Sequence, residues 1–294
     1  MLKIGERPLQ RFRMVIFTCA FIVGLAGQAH GQDKPYFVTY SQDLEEPGNL
    51  ELETKAAIGH PDDANRFGAI AGEFEYGVKA WWTTELYLDG QTTAEDSTVG
   101  TGFRWENRFR PLMREHFVNP ILYAEYESIN GADKTLLEVV GHDGMSDVSD
   151  PNADTREEHK HEGELKLILS SNVKDWNISE NFIAEKNLGH APWEFGYAVA
   201  ASRPLSTAYR DCVFCAQKFT IGGEMYGGLG DTDSLTLHDT SHYIAPVVGW
   251  DLPKHMRMSF STGFGLTDTS IDRVYRVGFA VEVPQVARLF RGER

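Results

Sequence analysis

Acidic residues two positions apart recur along the chain, often beside a basic residue at the same spacing. The set comprises Glu51, Glu53 and Lys55, then Glu73, Glu75 and Glu85, then Arg104, Glu106 and Arg108. It continues with Glu125 and Glu127, Glu164 and Lys166, Glu185, Glu224, Arg276 and Glu282. A spacing of two puts side chains on one face of a β-strand. On the inner wall of a closed sheet these groups would line a polar conduit, and their acid excess would attract cations as carboxylate rings do. The same residues admit another use, in which Arg104, Arg108, Lys166 and Arg276 bridge neighbouring carboxylates and fill a narrow barrel.

Three smaller constellations carry other chemistry. Cys212 and Cys215 are separated by Val213 and Phe214; in an exported protein this pair reads as a disulfide stapling a turn. Haem attachment would need a histidine at the next position, which is Ala216. His142, Asp143, Asp147, Asp150, Asp154, His159 and His161 crowd one stretch, and His238, Asp239 and His242 another. Imidazole and carboxylate suit zinc, copper or nickel, but the spacing is no structural-site signature, so His159, His161, His238 and His242 are weak candidates only and no metal or cofactor is assigned. Ser241 beside Asp239 and His242 has the residue types of a hydrolase triad, which geometry rather than adjacency defines. There is no nucleophile elbow, phosphate-binding glycine loop or zinc-protease motif, and the protein is read as a non-enzyme.

The elements that would position these residues are strands. From Asn49 onward, about twelve segments of roughly ten residues alternate apolar and polar positions and are parted by Gly, Pro, Asn or Asp. They begin near residues 50, 68, 82, 101, 120, 163, 176, 193, 218, 242, 256 and 273. In the fourth, Phe103, Trp105 and Phe109 oppose Arg104, Glu106 and Arg108; in the last, Tyr275, Val277, Phe279, Val281 and Val283 share a face. The lengths suit a strand crossing a bilayer at a tilt, which takes roughly 9–11 residues. Short connections at 77–81, 172–175, 203–207 and 253–255 alternate with others that are often longer and more acidic, the longest being 129–162. Glu180 falls on the apolar face of its strand, close enough to Trp176 to sit at a membrane interface.

The N-terminus carries Lys3, Arg7, Arg11 and Arg13, an apolar run over 14–25, and the small residues Ala29 and Gly31, the layout of a secretory signal peptide cleaved after Gly31. The run is shorter than the roughly 20 residues of a membrane-spanning helix. Cys19 follows Phe17 and Thr18 rather than the small residue that lipid attachment wants. Cleavage takes the net charge from -15 to -18, since four basic residues and one acidic residue leave. An acidic chain without a basic stripe excludes nucleic acid as a partner. The mean hydropathy of -0.34 does not argue against a membrane barrel, because alternation cancels in any window average.

Alternation alone also fits a soluble sandwich. The export signal, the even strand number, the loop asymmetry and the aromatic residues near strand ends (Trp82, Trp105, Trp176, Trp193 and Trp250) favour an outer-membrane barrel with girdles at both interfaces. Several short motifs carry a resemblance: Glu75-Tyr76-Gly77 before Trp82; Asn119-Pro120 with Tyr123 and Glu125-Tyr126-Glu127; Trp176-Asn177 with Asn181 and Glu185. Gly223-Glu224 with Gly227-Gly228, Pro246 with Gly249, and Gly263-Phe264-Gly265-Leu266-Thr267-Asp268 extend it. In these the chain resembles outer-membrane β-barrel porins of the MetA phenol-degradation type. That resemblance implies a membrane barrel with a transport role and no established substrate or catalytic residues. The chain departs from the pattern in the acidic insertion 141–161, the cysteine-bearing segment 209–217, and the residues that follow the last strand.

The expectation is therefore an all-β chain: signal peptide 1–31, periplasmic N-terminal segment 32–48, antiparallel transmembrane β-barrel of about twelve strands over 49–283, and periplasmic tail 284–294. Its expected function is that of a passive, porin-like channel with an acidic lumen in the bacterial outer membrane, with lipid and a small polar or cationic solute as partners. The alternatives are a closed structural or ligand- or metal-binding barrel and, behind it, an outer-membrane hydrolase or a soluble exported sandwich.

Overall fold

A computed structural model of the chain describes residues 34–61, 64–134, 139–141, 150–189, 191–208 and 212–286. The expected signal peptide and most of the expected C-terminal tail lie outside the described residues. Twelve strands follow in order: β1 (Leu50–His60), β2 (Phe67–Lys79), β3 (Trp82–Thr93), β4 (Thr98–Phe109), β5 (Asn119–Asn130), β6 (His159–Val173), β7 (Trp176–Asn187), β8 (Glu194–Pro204), β9 (Phe219–Asp231), β10 (His242–Leu252), β11 (Met256–Gly265) and β12 (Arg273–Val283). One short helix, α1 (Asn152–Thr155), sits in the connection between β5 and β6.

Each strand pairs antiparallel with its sequence neighbours, and β1 pairs with β12 from Leu50↔Val283 to His60↔Arg273, closing the sheet into a barrel. Closure leaves no edge strand with unpaired backbone groups. Bulges near Gly77, Asp89 and Phe195 adjust the register.

The alternation read from the sequence is a division between outside and inside. Ile70, Leu88, Trp105, Leu165, Phe182 and Ile244 are about half exposed on the outer face, whereas Glu73, Glu85, Arg104, Glu106, Glu164 and Glu224 are buried. An apolar belt running round the whole circumference far exceeds the patches that a protein in water exposes. A closed barrel is the one sheet whose backbone is satisfied in lipid. At the terminal mouth, where β1 begins and β12 ends, Trp81, Trp82 and Phe109 stack on one another and Trp250 stacks on Phe219. Arg203 lies over Trp176 at the same level. These rings form an interfacial girdle, and the exposed Glu180 lies four residues from Trp176 on β7.

Connections at the terminal mouth are short at 80–81, 174–175 and 253–255 but not at 110–118 or 205–218. The short 203–207 turn expected there is instead the start of the disulfide-bearing connection. The far mouth carries 61–66, 94–97, 131–158, 188–193, 232–241 and 266–272.

One expectation needs correcting. In place of a segment lying outside the barrel, residues 34–48 enter the lumen from the terminal mouth, with Tyr36, Phe37, Val38, Thr39 and Ser41 buried. The physical reason is mutual: this stretch is rich in aromatic and apolar groups that water disfavours, and the inner wall holds carboxylates that need hydrogen-bond donors. The start of the C-terminal segment is tied to the same mouth, where Val286 N–H donates to Gly48 at 2.9 Å and Gln285 N–H to Asn49 Oδ1 at 2.9 Å.

Candidate functional site

Register places the inward-facing acids next to one another across strand after strand. Glu282 opposes Glu51, Glu51 opposes Glu75, and Glu75 opposes Glu85. Glu85 then opposes Glu106, Glu106 opposes Glu125, Glu125 opposes Glu164, and Glu164 opposes Glu185. Glu185 faces Glu194, which faces Asp231. Directly opposed residues stand about 4.5–5.5 Å apart at Cα, so this is a continuous ladder of carboxylates. Strands in a barrel tilt, and a row of cross-strand pairs therefore climbs as it goes round. The ladder starts at the terminal mouth, with Glu51 second in β1, and ends at the far mouth, with Glu194 first in β8 and Asp231 last in β9.

Like charges directly opposed repel, and basic side chains flank the ladder on both sides. Nearer the terminal mouth, Arg108 binds Glu75 at 2.6 Å and Glu85 at 2.5 Å, and Lys166 binds Glu164 at 2.5 Å. Arg257 approaches Glu51 at 3.5 Å and His255 approaches Glu282 at 3.6 Å. On the far side Lys55 binds Glu73 at 2.7 Å, while Arg104 reaches Asp89 at 3.1 Å, Asp133 at 3.2 Å and Glu127 at 3.5 Å. Tyr123 donates its hydroxyl to Glu125, and Arg276 donates to the Tyr226 hydroxyl at 2.5 Å. Every lumen-lining candidate named from the sequence is thus on a strand face turned away from the apolar belt. Glu73, Glu75 and Glu85 bring carboxylate oxygens within 4.8 Å of one another, a grouping whose members are each in an ion pair with Lys55 or Arg108.

The N-terminal segment occupies the lumen beside this ladder. Glu224 accepts the N–H groups of Phe37, Val38 and Thr39 at 3.1, 2.9 and 2.8 Å. Asn181 accepts from Tyr40 N–H at 2.6 Å and donates to its carbonyl at 2.9 Å. The Tyr36 hydroxyl donates to Ser202 and Asn177 at 2.9 and 3.0 Å, and that of Tyr40 donates to Glu106 at 2.9 Å. Burial holds both phenols above the usual tyrosine range, and neighbouring carboxylates add to the effect. Lys34 pairs with Asp43 at 3.3 Å and Pro47 bridges Gly77, so both ends of the segment stay at the terminal mouth. A cavity of about 60 Å³ remains between the segment and the wall, room for a few waters.

At the far mouth the described residues of the connection between β5 and β6 pack against the wall. Asn152 is fully buried; its N–H donates to Asp96 at 2.7 Å and its amide to Ser97 at 3.2 Å. Its Oδ1 accepts from Gln91 and Lys134, each at 3.0 Å. Burial lowers the affinity of the Lys134 amine for its proton. Val139 of the same connection is buried in an apolar cluster that includes Phe37, Tyr226 and Tyr243.

The smaller constellations separate. Cys212 and Cys215 form a disulfide, with Cα atoms 5.5 Å apart, and next to it Phe214 packs on Trp250. His159 and His161 are exposed, with His161 against the Tyr126 hydroxyl at 2.9 Å. His238 pairs with Asp239 in the solvent, while His242 is buried between Tyr197 and Thr240, so the four histidines form no shared ligand set. Ser241 donates to the Thr269 carbonyl at 2.7 Å and His242 is engaged elsewhere, so no triad is assembled. Tyr36, Tyr40 and Asn152 were not singled out from the sequence, and Asn181 entered there only within a resemblance motif, with no role attached. The aromatic run 36–40 in an otherwise polar stretch was the available signal for the first two, and nothing local marks the asparagines.

No protein-family model matches the chain, and no curated protein does. Among solved structures, an outer membrane channel from Pseudomonas putida F1 superposes with a TM-score of 0.51 at 10% identity, covering 82% of this chain and 97% of that one. The KdgM porin follows with a TM-score of 0.46 at 8% identity over 79% of this chain and 98% of its own. The shared fold is that of an outer-membrane β-barrel.

Proposed function

We propose that the protein is a passive channel of the bacterial outer membrane whose lumen favours small cations and is closed, in the state described, by its own N-terminal segment. The observation that carries this reading is the carboxylate ladder. Nine directly opposed acidic pairs join the two mouths in one uninterrupted row. A barrel that needed only a filled interior would be served better by apolar side chains, because burying charge is costly even when paired. A graded row of negative sites lets a cation leave one carboxylate for the next, the multi-site condition that conduction requires. The test is the reversal potential of the mature chain in planar bilayers under a salt gradient. Discrete steps with cation preference are expected, and the preference is expected to fall in a Glu106→Gln/Glu125→Gln/Glu185→Gln variant. Anion preference, or a preference unmoved by those substitutions, would overturn it.

The filled lumen favours a second reading, a closed ligand-binding barrel. That reading wins if no steps occur even when the N-terminal segment has been released.

A further inference from the structure

The contacts that hold the N-terminal segment are of an unusual kind for packing. One carboxylate, Glu224, takes three consecutive main-chain N–H groups, and one amide, Asn181, takes both the N–H and the carbonyl of Tyr40. Three successive N–H groups converge on one anion only where the chain bends into a nest, and the backbone does bend at Phe37 and Val38. The wall partners stand on β7 and β9, which the barrel fixes independently of the segment. By contrast, the Thr39 hydroxyl and the Gln42 side-chain oxygen are buried with no hydrogen-bond partner. The polar grip is therefore on the main chain and on two tyrosine hydroxyls four residues apart, while Phe37 and Val38 between them add apolar packing.

We propose that the middle of the lumen is a receptor site for a bent stretch of polypeptide main chain bearing two such tyrosines, filled here by residues 36–40 of the chain itself. The site can exchange its occupant, because both ends of the segment are at one mouth and the vacated Glu224 would meet lumen water rather than lipid. A peptide of the same chemistry presented from that side takes the same donors and acceptors. The proposal rests on the channel reading only for its effect on conduction; binding itself does not depend on it.

The test uses the full mature chain in liposomes. Phe37→Pro/Val38→Pro/Thr39→Pro removes the three N–H donors and leaves the wall unchanged. A fluorescent synthetic peptide of residues 34–46 is then titrated onto it. Saturable binding is expected, weakened at least tenfold when Glu224→Gln and Asn181→Ala are added, and weakened again when both peptide tyrosines are replaced by phenylalanine. Absence of saturable binding to a proline variant that still shows heat-modifiable migration overturns the proposal. Should that variant fail to fold, maleimide labelling of Thr39→Cys in the otherwise unchanged chain decides. At least tenfold faster labelling with Glu224→Gln/Asn181→Ala supports the site, and equal rates overturn it. Peptide that binds without altering conductance removes the channel reading and leaves the site standing; cation-selective steps without peptide binding do the reverse.

Discussion

Arg108 ties two carboxylates of the wall to the N-terminal segment, and Arg108→Met measures how dry the lumen is at that level. Its guanidinium donates Nε to Glu85 at 2.5 Å, Nη2 to Glu75 at 2.6 Å and Nη1 to the Asp43 carbonyl at 3.0 Å. It also lies 5.3 Å from the centre of the Tyr40 ring. Arg108 is 6% exposed, and the two carboxylates 4% and 1%. Methionine keeps much of the length and none of the charge, and leaves two opposed carboxylates without this cation. Removing one partner of a buried ion pair costs about 3–5 kcal/mol, whereas losing an exposed pair costs at most about 1 kcal/mol. Urea unfolding of the mature chain in lipid vesicles, followed by tryptophan emission, should therefore show a loss of about 3–5 kcal/mol. Adding Glu75→Gln and Glu85→Gln should recover most of it, since a neutral amide needs no counter-ion. A loss below about 1 kcal/mol would refute the reasoning, because it would mean that water screens the ladder at this level and the lumen is open there.

Two further outcomes follow from the plugged mouths. Asn152→Ala deletes the side-chain hub that ties the long far-mouth connection to Gln91 and Ser97 and to its own Lys134, which at about 1–3 kcal/mol for stranded buried partners should expose this connection to protease added outside whole cells; resistance equal to the parent contradicts this account. The raised proton affinity of Tyr36 and Tyr40 means that their contribution to holding the segment is intact below about pH 10, the ordinary tyrosine value, and is lost as pH rises through their higher folded values. Tyrosinate absorbance of the parent minus that of Tyr36→Phe/Tyr40→Phe should show two phenols ionising late, and ionisation at the ordinary value would remove this account of the docking.

Strand number, order and facing were legible because each depends on a local period. In β4, Phe103, Trp105 and Phe109 could alternate with Arg104, Glu106 and Arg108 only by facing opposite sides, and one side had to be lipid or water. The occupied lumen was not legible. Residues 34–48 have no period, and their conformation follows from Glu224 and Asn181, which lie about 140 to 190 positions away in the chain. The disulfide was legible from the spacing of Cys212 and Cys215 together with the export signal. The separation of His159 and His161 from His238 and His242 was not, because the first two open β6 while His242 opens β10 and His238 lies in the connection before it, and only closure of the sheet fixes where those stand.

The ladder is the least local feature of all, and this bears on what it means. Period two says that Glu75, Glu85 and Glu106 face inward; it does not say that they face one another. A slip of two residues at any of the strand pairs would keep every acid inside and break the row. Opposed like charges weaken a sheet, so stability alone would favour such slips, or the basic partner opposite each acid that Arg104 and Glu127 in fact achieve between β4 and β5. Instead the acids are aligned with one another, and the cations stand in the rows to either side, where they compensate the charge without interrupting it. That arrangement costs stability relative to alternating charges and gains only the continuity of the acidic row, a property of use to something that moves along it.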